Sequence, residues 1–152
     1  MQHHLIGPHS PVEALATRTA PRLPPDACVG EAARTMREAD TSALLVGEGV
    51  EAIITERDFA RALSLGLGPE TPVLAVATTS PHWVAGSLPV VDAAAAMLQD
   101  GLRHLIILRT DGEVRIVSVR EVLEVMLRAL DPVVWMTALR LAVSTSAEIW
   151  LG

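Results

Sequence analysis

Two short strings hold the residues best suited to chemistry: Thr55-Glu56-Arg57-Asp58 and Ser118-Val119-Arg120-Glu121. In each, a hydroxyl stands three residues before a carboxylate. That spacing is a capping box, in which the two side chains close over free amides at a helix start, and many helices carry one and bind nothing. A helix N-terminus also presents free amides and a partial positive charge, which suit phosphate or ribose oxygens. Arg103-His104 stands ahead of the apolar run Leu105–Leu108 as an adjacent pair of basic residues. Catalytic readings fare worse. His82 and His104 are tied by no motif to an activated nucleophile, and the chain has no GxSxG, no P-loop lysine and no HExxH.

These strings sit inside a duplication. Ser10-Pro11-Val12-Glu13-Ala14-Leu15-Ala16-Thr17 returns as Thr71-Pro72-Val73-Leu74-Ala75-Val76-Ala77-Thr78, and CVGEAARTM at 28–36 returns as PVVDAAAAM at 89–97. SALLV at 42–46 returns as RHLII at 103–107, and IITERDF at 53–59 as IVSVREV at 116–122. A period of roughly 61–63 residues in two copies describes two halves of one fold, because a solenoid needs three or more stacked units. Two such halves pair about a pseudo-twofold axis, and equivalent residues then line shared clefts.

Each copy reads in one order. Ser10-Pro11 and Thr71-Pro72 predict a short helical turn, with the hydroxyl as cap and proline at the first helical position. An extended stretch follows around Leu23 or Val84. Asp26 and Ser87 are the expected caps of the next helix. Its apolar face is Val29, Ala32, Ala33 and Met36, repeated as Val90, Ala93, Ala94 and Met97, at the i, i+3, i+4, i+7 spacing of a one-sided helix. Two hairpin strands come next, 43–46 with 52–55 and 104–109 with 114–118, the second pair joined through Asp111-Gly112. Helices are expected over 56–65 and 119–129. The order is strand, helix, strand, strand, helix, twice. Residues 131–152 fall outside the repeat; they are apolar, carry Trp135 and Trp150, and predict one packed helix and a tail.

Composition narrows the function. The chain has 152 residues, 50% of them hydrophobic and only 3% aromatic, so its core must be aliphatic. A net charge of −6 argues against a duplex nucleic-acid binder, which shows a basic face. All 12 basic residues are arginine, which excludes lysine Schiff-base chemistry. The single Cys28 cannot form an internal disulfide, and together with the lack of a signal peptide at the N-terminus this predicts a cytoplasmic protein. No stretch reaches the length of a membrane span. His3, His4 and His9 are expected to bind no metal, since a frayed terminus fixes no geometry.

Over residues 10–130 the chain resembles a CBS domain pair, the Bateman module. The resemblance rests on VEALATR and VLAVATT, where family members usually have Met before the Thr, on helices ending in Met36 and Met97, on RHLIIL at 103–108, and on the endings ITERD and VSVRE. It implies an α/β (α+β) fold of tandem CBS domains. These would be two pseudo-symmetric β-α-β-β-α units with a C-terminal helical extension: a flexible N-terminus at 1–9, the first domain at 10–66, the second at 71–130, and the extension at 131–152. It also implies a stand-alone, non-enzymatic regulatory protein that forms a homodimer and acts on a partner or on its own assembly. The implied ligand is an adenine nucleotide, AMP, ADP or ATP, or another adenosyl compound, bound in the cleft between the two motifs. By the same resemblance, the Thr55 hydroxyl contacts ribose-phosphate and Asp58 accepts from both ribose hydroxyls, while Arg103 and His104 face that cleft and neutralise phosphate. Arg57 and Arg61 lie beside this site. Ser118 and Glu121 belong to the mate site, where Glu121 replaces the family's Asp; the longer carboxylate is expected to serve its own helix cap. The alternative function is a structural or dimerisation module with empty clefts.

Overall fold

Both expected hairpins form. In the computed structural model, which describes residues 6–130 together with Thr137 and Arg140, β2 (Ala43–Val46) pairs antiparallel with β3 (Ala52–Thr55), and β5 (His104–Leu108) with β6 (Val114–Ser118). Gly112, at φ +85°, supplies the left-handed residue that the Asp111-Gly112 turn requires. A short parallel strand joins each hairpin, β1 (Arg22–Leu23) beside β2 and β4 (Trp83–Ala85) beside β5, which gives two three-stranded sheets. Parallel neighbours need a crossover, and the helices α1 (Val29–Ala39) and α3 (Val90–Asp100) provide it. β3 and β6 run directly into α2 (Glu56–Ser64) and α4 (Val119–Arg128).

Alternation along the strands builds the layers. Leu44, Val46, Ala52 and Ile54 face the helices of the first copy, packing with Ala32, Met36 and Ala62. Leu105, Ile107 and Val117 do the same in the second copy with Ala93, Met97, Val122 and Val125. The opposite faces meet each other: Ala43, Leu45, Ile53 and Ile106 form a third buried cluster, flanked by Val114 and Ile116. The two sheets therefore share one apolar layer, and strands buried on both faces read as unbroken hydrophobic runs.

The segments ahead of each first strand are exchanged. Val12, Leu15 and Ala16 are buried in the core of the second copy, while Val73 and Val76 are buried in the core of the first. The backbone follows: Val12 N–H donates to the Leu88 carbonyl at 2.7 Å, and Val73 N–H to the Ala27 carbonyl at 2.8 Å. Each sequence repeat thus completes the other's core.

Three expectations are corrected, the first two by this exchange. Pro11 and Pro72 are not at the first helical position; they are extended, with ψ of 136° and 135°, and cap 3-10 turns at Val12–Ala14 and Val73–Ala75. Their extended backbone serves bridges to the other copy, Pro11 with Pro89 and Pro72 with Cys28. Asp26 and Ser87 do not cap α1 and α3; Cys28 and Pro89 occupy those positions. The first two amides of each helix are instead taken by backbone carbonyls of the segment that packs against it: Val29 and Gly30 N–H by Thr71 and Pro69 (both 2.9 Å), and Val90 and Val91 N–H by Ser10 and Pro8 (3.0 and 2.8 Å). Within the expected apolar face, Ala33 is exposed, while Ala32 and Met36 are buried. The apolar stripe of α1 is therefore one residue narrower than its α3 counterpart, where Ala94 is half-buried.

At the N-terminus, Gly7 N–H donates to Ser10 Oγ at 3.0 Å, and the Pro8 carbonyl accepts from Val91 N–H at 2.8 Å. The expected C-terminal helix and tail lie outside the described residues, apart from Thr137 and Arg140, which are helical and exposed. Among the described residues, no helix is long and apolar enough to cross a membrane.

Candidate functional site

Both capping boxes form at strand-to-helix junctions. At the first, Asp58 Oδ2 accepts from Thr55 N–H at 2.8 Å and from Thr55 Oγ1–H at 2.9 Å. Asp58 Oδ1 accepts from Arg61 at 3.0 Å. The carboxylate is only 5% exposed, a low value for a charge, and the three donors account for it. At the second junction, Glu121 Oε2 accepts from Ser118 N–H and Ser118 Oγ–H, both at 2.7 Å. Glu121 is half-buried, and its Oε1 has no hydrogen-bond partner among the described residues.

Register brings the rest into place. Ala43 pairs with Thr55 and His104 with Ser118, so the starts of β2 and β5 lie beside the two hydroxyls. Glu56 N–H donates to the Ser42 carbonyl at 3.3 Å, and Val119 N–H to the Arg103 carbonyl at 2.8 Å. Because the sheets face each other, the two strand starts meet: Ser42 Oγ lies 3.0 Å from His104 Nε2, bridging residues 62 apart in sequence. Burial pushes the His104 imidazole below its ordinary pKa, the carboxylates of Glu121 and Glu56 push it up, and the Arg103 cation beside it pushes it down. Arg103 is exposed and makes no side-chain hydrogen bond or ion pair among the described residues.

Two participants were not visible as such in the sequence. Ser42 carries no charge and no motif. Arg61, placed by the sequence only beside the site, is tied to Asp58 and also donates to the Val76 carbonyl in the exchanged segment. Its spacing from Asp58 is that of a helical ion pair, but its second acceptor belongs to the other repeat. Next to it, Ile53 and Thr78 exchange backbone hydrogen bonds at 3.0 and 2.9 Å, fixing the segment after Val76 against β3. At the second junction, the corresponding segment is held through Arg115, which donates to Thr19 Oγ1 and pairs with Glu113. Arg57 is exposed. A shallow depression of about 260 Å³ near β1 and α1, lined by Leu23, Ala27, Glu31 and Thr35 among others, contains none of these residues.

The duplicated strand-helix-hairpin-helix order with a capping box at each hairpin-to-helix junction has a family counterpart. The sequence profile of the CBS domain matches residues 12–65 and again residues 73–128. The chain belongs to the CBS-domain family. Its two CBS repeats each carry a three-stranded sheet with helices. An uncharacterised 17.7 kDa protein of Acidianus ambivalens is 33% identical to this CBS protein over 120 residues, covering 76% of this chain and 73% of the relative. A CBS domain protein from Pyrobaculum aerophilum, solved in complex with AMP, has 26% identity and a TM-score of 0.65, covering 76% of this chain and 97% of that one. A protein with CBS domains from Burkholderia ambifaria has 25% identity and a TM-score of 0.67, covering 74% of this chain and 90% of its own.

Proposed function

We propose that this CBS pair is a non-catalytic sensor of an adenine nucleotide, binding AMP, ADP or ATP between the two hairpin-to-helix junctions and so biasing a partner protein or its own assembly. The observation that carries the reading is the AMP held by the Pyrobaculum aerophilum relative, whose chain aligns over 97% of its length. The local chemistry here is compatible. In this reading Asp58 accepts from the ribose hydroxyls and Thr55 Oγ1 contacts the ribose-phosphate. Arg103, exposed and unpaired among the described residues, supplies the charge that meets phosphate. His104 adds a second nitrogen donor. Ser118 and Glu121 act chiefly as a cap in this reading, because Glu121 stands where the family has the shorter Asp and its longer side chain reaches back to Ser118.

The outer helices support self-association. Leu63 (75% exposed) lies in the last turn of α2, Leu98 (86%) on α3 and Leu123 (53%) on α4, where a second copy would cover them. We place the protein in the cytoplasm, where adenine nucleotides are abundant and its single cysteine stays reduced. A thermal-shift screen with AMP, ADP, ATP, NAD and S-adenosylmethionine tests the function. A ligand specific for the folded state stabilises it by about 2.7 kcal/mol at 100 times its dissociation constant. A clear rise with at least one adenine nucleotide is expected. No rise with any of them, together with a particle of twice the 16.2 kDa chain mass in light scattering, would favour a dimerisation module with empty clefts.

A further inference from the structure

The contact between Ser42 and His104 joins the two copies through side chains alone. Ser42 immediately precedes β2 and His104 opens β5, and the 3.0 Å bridge between them lies where the two capped helix starts converge. We propose that this bridge is a proton-coupled clasp: a phosphate entering the cleft shifts His104 toward its protonated form by proton uptake from solvent, and the site reads nucleotide together with pH. The inference rests on the nucleotide reading above.

The partners make the device workable. A serine hydroxyl both donates and accepts, so Ser42 can satisfy a neutral imidazole in either tautomer by turning its hydrogen. In the imidazolium, Nε2–H donates and Ser42 Oγ accepts. The bridge therefore survives protonation, and the copies need not part. The proton arrives on whichever ring nitrogen is bare, with buffer as its source, and no other bond changes.

The charges facing the ring set its direction. On its own strand, Arg103 opposes a second cation; from α2, Glu56 favours it, and from α4, Glu121 favours it. β6 contributes the uncharged Ser118. With the cleft empty, burial is the largest influence on the ring and favours the neutral form. A phosphate dianion beside Arg103 neutralises the opposing cation and adds negative charge within reach of the imidazole. Both changes favour the imidazolium. Adenosine, with no phosphate, would produce neither.

Isothermal titration calorimetry of AMP in buffers of different ionisation enthalpy at pH 7 measures the proton count directly. The expected result is uptake of about half a proton per AMP, equivalent to about threefold tighter Kd per unit fall in pH. Adenosine should bind with no uptake. AMP itself cannot mimic this, because its phosphate ionises near pH 6 and binding of the dianion would release protons. His104→Gln keeps a side chain able to bond Ser42 but removes a phosphate donor, so it should bind AMP more weakly and, at AMP concentrations that still saturate it, without uptake, its fold checked by thermal denaturation. Ser42→Ala should show reduced uptake, because the imidazolium loses its acceptor. Binding of AMP with no proton uptake, or uptake unchanged in His104→Gln, would overturn the clasp while leaving the nucleotide site intact. Absence of binding heat with AMP, ADP and ATP alike would overturn both.

Discussion

The boxes at Thr55–Asp58 and Ser118–Glu121 begin with the same spacing and end in different states. Asp58 is 5% exposed with donors on both oxygens, whereas Glu121 is half-buried with donors on Oε2 alone. One methylene and one neighbour account for the difference. Three residues after Asp58 stands Arg61, which meets its second oxygen; three residues after Glu121 stands Glu124, which pairs instead with Arg128. Arg61 then reaches the Val76 carbonyl, so the first box is tied to the exchanged segment and the second is not. A duplicated motif can thus keep its capping role in both copies while only the first copy's carboxylate is linked, through an arginine, to the other repeat.

The largest test of this comparison is to separate the copies. Because Val73 and Val76 complete the first core and Val12, Leu15 and Ala16 the second, a fragment of residues 1–66 should lack a cooperative unfolding transition in circular dichroism. A sharp melt from that fragment would show that each repeat closes its own core. Next comes Asp58→Ala, which strands three donors, including a guanidinium. It should lower unfolding free energy in urea by about 2 kcal/mol, in the range for hydrogen bonds to charged groups. Glu121→Ala loses a cap alone and should cost about 1 kcal/mol. Equal costs would erase the distinction drawn between the boxes. The smallest effect concerns pH. His104 has a folded pKa held below its ordinary 6.5, so its neutral form contributes stability that is full above that value and is lost as pH falls through the folded pKa. Urea titrations of the wild type and His104→Gln should diverge below about pH 6.5, with the wild type losing more; parallel curves would mean that the imidazole is not desolvated.

Much of this was legible in the sequence because its partners are local. Thr55 with Asp58 and Ser118 with Glu121 are three residues apart, a helix start reads directly, and the hairpins are bounded by their own turns. The alternating strand faces were also readable as apolar runs. What was hidden depends on which copy a segment joins. Pro11 and Pro72 look the same whether the lead-in packs on its own repeat or on the other, and the two choices bury identical residue types. Ser42 was invisible for the same reason: its partner stands in the other repeat, and a lone serine announces no bond. Arg61 showed its ion-pair spacing but not its carbonyl acceptor. Ala33 fitted the helical period but fell just outside the buried face.

The most direct test of the nucleotide reading is calorimetric titration of AMP into the wild type, Asp58→Ala and Glu121→Ala side by side. The expected result is saturable binding to the wild type, a loss of about one to two decades in affinity for Asp58→Ala, and nearly unchanged affinity for Glu121→Ala. Equal losses in the two variants would mean two working sites of equal standing. Wild-type affinity retained in Asp58→Ala would contradict the account and leave the first box as a helix cap only.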